Sequence, residues 1–236
     1  MHKTSKNLLV GVLMAGMLGG CASVNQTPGD PMEGVNRGVY KFNDSFDKYA
    51  LKPVAKGYKF VLPNAVQTGI NNFFKNLGNV TTVVNDLLQF KFDKALTDSG
   101  RFVINTTFGI GGLFDWATKD NIAYHKEDFG LTLGNWGWKN SNYLVLPFFG
   151  PSTIRDTGGL VVDSLAFDPI GYVNDVPTRN ALYLTQIISI RASYLPGSDL
   201  LDEAALDPYA FMRDAYLQRR TSQMYDGNPP KVDYDN

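Results

Sequence analysis

The chain has 236 residues, a formal charge of −1, 44% hydrophobic residues and 13% aromatics. There is no basic footprint for nucleic acid and no polybasic patch for an anionic membrane surface. Its one cysteine, Cys21, rules out a disulfide or a cysteine-based metal site within the chain. No segment beyond residue 21 holds 18 consecutive apolar residues, so no spanning helix is predicted.

Residues 1–20 read as a secretory signal, with His2, Lys3 and Lys6, then an apolar run from Leu8 to Leu18. The boundary Leu18-Gly19-Gly20-Cys21 resembles a bacterial lipobox. In that class of signal the cysteine is acylated and becomes the first mature residue. Ala22 follows rather than the Asp that tends to retain such proteins at the inner membrane, which points to the outer membrane. Removing residues 1–20 leaves 216, enough for one domain, and the loss of Lys3 and Lys6 moves the charge from −1 to −3. Residues 21–29 form a polar tether.

Asp30-Pro31-Met32-Glu33 predicts a helix start, with Asp30 as N-cap and Glu33 three residues on. Met32, Val35, Val39, Phe42, Phe46 and Tyr49 follow at spacings of 3, 4, 3, 4 and 3, an amphipathic stripe. Pro53 begins a second helix and Pro63 a third, with Val66, Ile70, Phe73, Phe74 and Leu77 on one face. A fourth carries Val80, Val83, Val84, Leu87 and Leu88, and Asp93 caps a fifth. Phe108–Trp116 holds too many glycines for a helix interior. Residues 130–150 are expected to be irregular, ending in Tyr143–Phe149, the best strand signal, which Pro147 keeps short. Thr178 caps a long helix through Tyr194, Ser198 a short one, and Asp207-Pro208 starts a last helix to Arg220. Residues 221–236 read as a polar, disordered tail.

Catalytic signatures are missing. His125 is the only histidine after residue 20, which leaves little for a triad or a histidine metal cluster. The expectation is that it packs or faces solvent. No nucleophile elbow or P-loop occurs. Gly109-Ile110-Gly111-Gly112 lacks the third glycine of a dinucleotide fingerprint and reads as a turn, and Glu127-Asp128 as a solvated turn. The apolar stripes suit either a soluble core or a membrane-facing surface, and periodicity does not separate them.

Four blocks, in order, resemble the MlaA (VacJ) family of outer-membrane lipoproteins: Asp30–Asn43, Arg101–Asp115, Glu127–Gly134 continuing through Leu146–Asp156, and Asp207–Tyr216. The family's glycine-rich hairpin segment is reduced here to Gly137-Trp138-Lys139-Asn140-Ser141-Asn142-Tyr143, which keeps only Gly137.

This resemblance implies an all-α fold: a single ring-like domain of amphipathic helices over residues 30–220, embedded in one membrane leaflet, with a short irregular hairpin. It implies a passive channel that removes phospholipids misplaced in the outer leaflet of the outer membrane. The partners implied are phospholipids, a trimeric porin and a soluble periplasmic carrier, MlaC, with no nucleic acid. No enzymatic activity, metal or cofactor is expected beyond covalent lipid on Cys21. The expected channel or gating residues are Asn36, Phe42 and Asn43 on the first helix, and Gly134, Trp136, Gly137 and Trp138 in the loop. The alternative is an envelope scaffold that tethers a porin or carrier without a lipid path.

Overall fold

A computed structural model describes Thr27 and residues 29–230. The signal, Cys21 and residues 231–236 of the tail lie outside the described residues. Nine α-helices carry the described chain: α1 Glu33–Phe46, α2 Lys52–Val61, α3 Asn64–Leu88, α4 Phe92–Thr107, α5 Trp116–Lys119, α6 Phe129–Asn135, α7 Ile154–Val162, α8 Val176–Ala204 and α9 Pro208–Met224. Their one sheet is an antiparallel hairpin, β1 Tyr143–Leu146 with β2 Gly150–Thr153, in which Tyr143 faces Thr153 and Leu146 faces Gly150. The all-α class with a short hairpin is therefore as expected.

Several boundaries differ from the sequence expectation. Asp30 does not cap α1. Its buried carboxylate instead accepts from Asn36 Nδ2 at 2.7 Å and from the Tyr209 hydroxyl, because those donors reach it first in the interior. A π-helical turn, Asp47–Leu51, joins α1 to α2 without a break, and Pro53 sits in the first turn of α2, where a missing N–H is tolerated. The expected third and fourth helices are one helix of 25 residues. It carries Gly78 in its interior, since propagation costs far less than a second nucleation. Asp175, not Thr178, caps α8 by accepting from the Thr178 amide at 2.9 Å. Ser198 donates to Leu195 O within the same helix, which runs on past Pro196. Helix α9, capped by Asp207 as expected, continues to Met224.

The stretch expected to be irregular from residue 130 starts as helix α6. Its glycines serve close packing rather than looseness. A Cβ on Gly159 of α7 would lie 2.2 Å from Gly130 N, so α6 and α7 meet backbone to backbone. Gly109 is held as tightly in the 108–114 turn, where a Cβ would stand 2.2 Å from Phe114 O.

Apolar cores are small. One is Ala55, Ala192 and Leu195; the other is Tyr143, Val145 and Tyr209. Among the described residues, twenty polar or charged residues are buried against eleven apolar ones. Meanwhile Phe42, Phe60, Phe92, Phe108, Phe149 and Leu165, among many others, are exposed. A water-soluble domain has the opposite bias, with Asp, Arg and Asn mostly outside.

Candidate functional site: a charged passage among the helices

A cavity of about 480 Å³ opens between α3, the 126–128 segment, the hairpin, α7, the 168–170 turn, α8 and α9. Its wall is two-natured. Phe74, Leu77, Leu146, Phe149, Leu160 and Ile187 give apolar surface, while Lys126, Asp128, Asp163, Asp168, Arg219 and Arg220 give charge.

Arg220 organises the charged side. Its Nη1 and Nη2 meet the two Asp128 oxygens at 2.7 and 2.8 Å, and its Nε and Nη2 meet the Asp156 oxygens at 3.0 and 2.7 Å. Asp156 also accepts from Arg155 Nε at 2.9 Å and from the Tyr216 hydroxyl at 2.8 Å. Burial works to raise the pKa of both carboxyls, but the Arg220 bonds and charge outweigh it and hold both below the ordinary carboxylate value. Asp163 has only the Phe129 amide and Asn85 to accept from, and burial pushes its carboxyl up. Tyr183 donates to Asp168 at 2.6 Å, and its phenol is pushed up to about 12, first by burial and then by that bond.

The seven expected channel or gating residues fall into two groups, and none of them lines this cavity. Asn36, Phe42 and Asn43 come together against the hairpin, whose Leu146 and Phe149 do line it. Asn36 is fully buried; its Nδ2 donates to Tyr143 O at 3.1 Å and its Oδ1 accepts from Val145 N at 3.0 Å. Asn43 repeats the pattern, donating to Leu146 O at 2.9 Å and accepting from Phe148 N at 2.8 Å. The two amides tie α1 to β1 and to the turn that follows it. Phe42 stacks edge-on to Phe148 at 5.2 Å.

The second group, Gly134 to Trp138, lies at the end of α6 and in the turn after it. Arg155 ties this segment down, its Nη1 donating to Trp138 O at 3.1 Å and Lys139 O at 3.2 Å. A Cβ on Gly134 would come within 3.0 Å of the same guanidinium nitrogen. Gly137 has φ +120, a conformation that suits glycine. The Trp136 and Trp138 side chains are about half exposed, and Trp136 Nε1 donates to Leu88 O at 3.0 Å.

Sequence reasoning missed Arg220, Asp128, Asp156 and Lys126. Arg220 is separated from Asp128 by 92 positions, so no local spacing links them. The available signal was that Asp128 and Asp156 lie near the two ends of one block that carries the family resemblance. Glu127-Asp128 is not a solvated turn: Glu127 is buried and accepts from Gln89 Nε2 at 2.9 Å and Lys91 Nζ at 3.2 Å. His125 is half-buried against the fully buried Asp86 and Asp98, and hydrogen bonds to first Asp86 and then Asp98 push its pKa up to about 9.

The family model described as MlaA lipoprotein matches residues 28–223. The chain belongs to the MlaA lipoprotein family. It is 34% identical over 231 residues to the intermembrane phospholipid transport system lipoprotein MlaA of Haemophilus influenzae, covering 94% of this chain and 92% of that protein. It is 35% identical over 210 residues to the Escherichia coli K12 protein of the same name, covering 86% and 82%. A solved chain from work on the structural basis for maintenance of bacterial outer membrane lipid asymmetry superposes with a TM-score of 0.72 at 33% identity, over 84% of this chain and 99% of that one. The match takes in nearly the whole of the solved chain's fold. Among the described residues no helix is long and apolar enough to cross a membrane.

Proposed function

We propose that this MlaA-family chain is an intermembrane phospholipid transport lipoprotein that provides a passive path for phospholipids. It lies in the inner leaflet of the outer membrane, anchored through Cys21 and beside a trimeric porin. It removes phospholipids misplaced in the outer leaflet and passes them to a periplasmic carrier of the MlaC kind, which maintains lipid asymmetry. One observation carries the reading: the interior is rich in buried polar groups, the cavity wall carries charge, and large apolar side chains face outward.

The physics favours such a path. About 30 tail methylenes at about 0.8 kcal/mol each would cost on the order of 25 kcal/mol to expose to water. A charged headgroup is equally unwelcome in hydrocarbon. A cavity with charged residues on one part of its wall and apolar residues on another offers each end of the lipid a matching surface, with outward apolar helices seated in the leaflet. A scaffold without a lipid path would need no such wall.

The test has two arms. A Cys21→Ala protein should still need detergent to stay in solution; free solubility in buffer would support the scaffold instead. In cells lacking the gene, the intact chain should lower outer-leaflet phospholipid, and failure to do so at normal abundance would overturn the transport reading.

A further inference from the structure

The one described histidine stands where three parts of the chain meet. His125 and Glu127 lie on the segment between α5 and α6, Asp86 near the end of α3, and Asp98 in α4. Asp86 and Asp98 are fully buried, and Glu127 is 3% exposed. One ligand atom each from Asp86, His125 and Glu127 lie within 4.8 Å of one another.

The contact between His125 and Asp86 is poor as a hydrogen bond and good as a ligand spacing. His125 Nδ1 meets Asp98 Oδ2 at 2.8 Å, which turns Nε2 toward Asp86 Oδ1 at 3.4 Å. That distance is long for a charge-assisted hydrogen bond. It matches the edge of a tetrahedron whose metal–ligand bonds are about 2.0–2.1 Å, an edge of roughly 3.3–3.4 Å. Asp86 Oδ2 and both Asp98 oxygens are buried without a well-formed hydrogen bond, Asp98 Oδ2 having its ion-pair contact with His125 Nδ1. Buried carboxylate oxygens are rarely left so. Of the three buried carboxylates, Glu127 pairs with Lys91, which also pairs with Asp226, while Asp86 and Asp98 have one imidazole between them. The cluster lacks positive charge.

We infer that Asp86, His125 and Glu127 bind one divalent cation of the zinc class, with Asp98 orienting the imidazole. One nitrogen and two carboxylate oxygens suit zinc, whereas magnesium and calcium take oxygen donors. Asp98 on Nδ1 is the carboxylate that fixes tautomer and ring plane when Nε2 is the ligand. Glu127 keeps its bonds to Gln89 and Lys91, because a carboxylate offers about four acceptor sites. The ion would brace α3 to the segment that ends in Lys126 and Asp128 on the cavity wall. The inference stands whether or not the cavity carries lipid.

The full chain, purified in detergent through a tag without histidine and stripped with chelator, is titrated with zinc chloride and with cobalt chloride. Magnesium and calcium chlorides serve as controls, and a Cys21→Ser version removes the only thiol. Expected are one zinc per chain by elemental analysis, a higher unfolding temperature, and visible cobalt absorption of the intense tetrahedral kind. His125→Gln and Asp86→Asn should abolish this binding, and Asp98→Asn should weaken it about 10- to 100-fold. No uptake of zinc or cobalt by the intact chain at micromolar metal would overturn the inference. So would unchanged binding in the His125→Gln chain with a native helical spectrum. Should that variant fail to fold, X-ray absorption of the zinc-loaded intact chain decides: a site without an imidazole nitrogen would equally overturn it.

Discussion

Asn43 holds the backbone of Phe148 in a left-handed turn. The Phe148 amide donates to Asn43 Oδ1 at 2.8 Å while its φ is +66, a region that phenylalanine rarely enters. The Phe148 ring sits edge-on to both Phe42 and Phe46, at 5.2 and 5.1 Å. Asn36 and Asn43 are two helical turns apart, about 10.5 Å, and each grips an O and an N–H two residues apart, in β1 at Tyr143 and Val145 and, from its last residue into the turn, at Leu146 and Phe148. The carbonyls of Tyr143 and Leu146 are three strand residues or about 10 Å apart. Helix and strand are commensurate, so the amides work as a pair. Asn43→Leu should leave the fold intact, cost about 1–2 kcal/mol, and raise hydrogen exchange at Phe148 well above that at Val145. Equal protection at Phe148 in both proteins would show that the aromatic contacts hold the turn alone.

Deleting Asn43 tests the same relationship harder. It turns every later residue on the helix by about 100° relative to Asn36 and puts Asp44 at the Asn43 position, where a carboxylate can accept from the Phe148 amide but cannot donate to Leu146 O. On the transport reading the hairpin then loses its fixed position beside the cavity, and misdirected lipid flow is expected rather than a null. Outer-leaflet phospholipid should rise at normal protein abundance. Unchanged asymmetry would show that the hairpin's place on α1 does not matter to the path.

How much of this the sequence reveals depends on the range of the interaction. The α1 stripe, the Asp207 cap and the hairpin strand are local patterns, and all three are visible in the residues themselves. Asp30 shows where local reasoning stops. Its position before Pro31 is ideal for a cap, yet Asn36 and Tyr209 outcompete the helix end for its carboxylate. Gly130 reads as a loop signal because the close approach of α6 to Gly159 of α7 is not encoded near it. The charged wall was the least legible part, because Arg220, Asp128 and Asp156 are joined only by the fold.

Arg220 is expected to be the most sensitive charged side chain. Arg220→Met leaves Asp128 with the Leu131 amide and takes away two of the five hydrogen bonds to the Asp156 carboxylate, which should cost about 3–5 kcal/mol. The pH dependence follows from the shifts. Asp128 and Asp156 are held below 3.8 in the folded chain, so their stabilisation is complete above that value and is lost as pH falls through the lower, folded values. Asp163 acts in the opposite sense, since its raised pKa is a cost of the charged form that protonation relieves. Denaturant unfolding from pH 6 downward should therefore show the intact chain losing stability below about pH 4. Arg220→Met should be flatter there, because its carboxylates no longer favour the charged state. Parallel acid limbs in the two proteins would refute this account of the network.

Gly78 allows the cavity to be filled without disturbing what builds it. It lies inside α3, lines the cavity, and a Cβ there meets nothing within 4 Å. Gly78→Ala should be neutral to stabilising by up to about 1 kcal/mol, since alanine is the better helix former. Gly78→Trp adds a large ring at the same wall, with no neighbour to displace at its root. On the transport reading, alanine preserves lipid asymmetry, while tryptophan raises outer-leaflet phospholipid with little change in unfolding temperature. Gly159→Ala is the contrast, because its Cβ would press on Gly130 N at 2.2 Å and should destabilise the chain outright. If the tryptophan chain folds normally and transports as well as the native one, lipid does not pass this wall, and the charged cavity is structure rather than path.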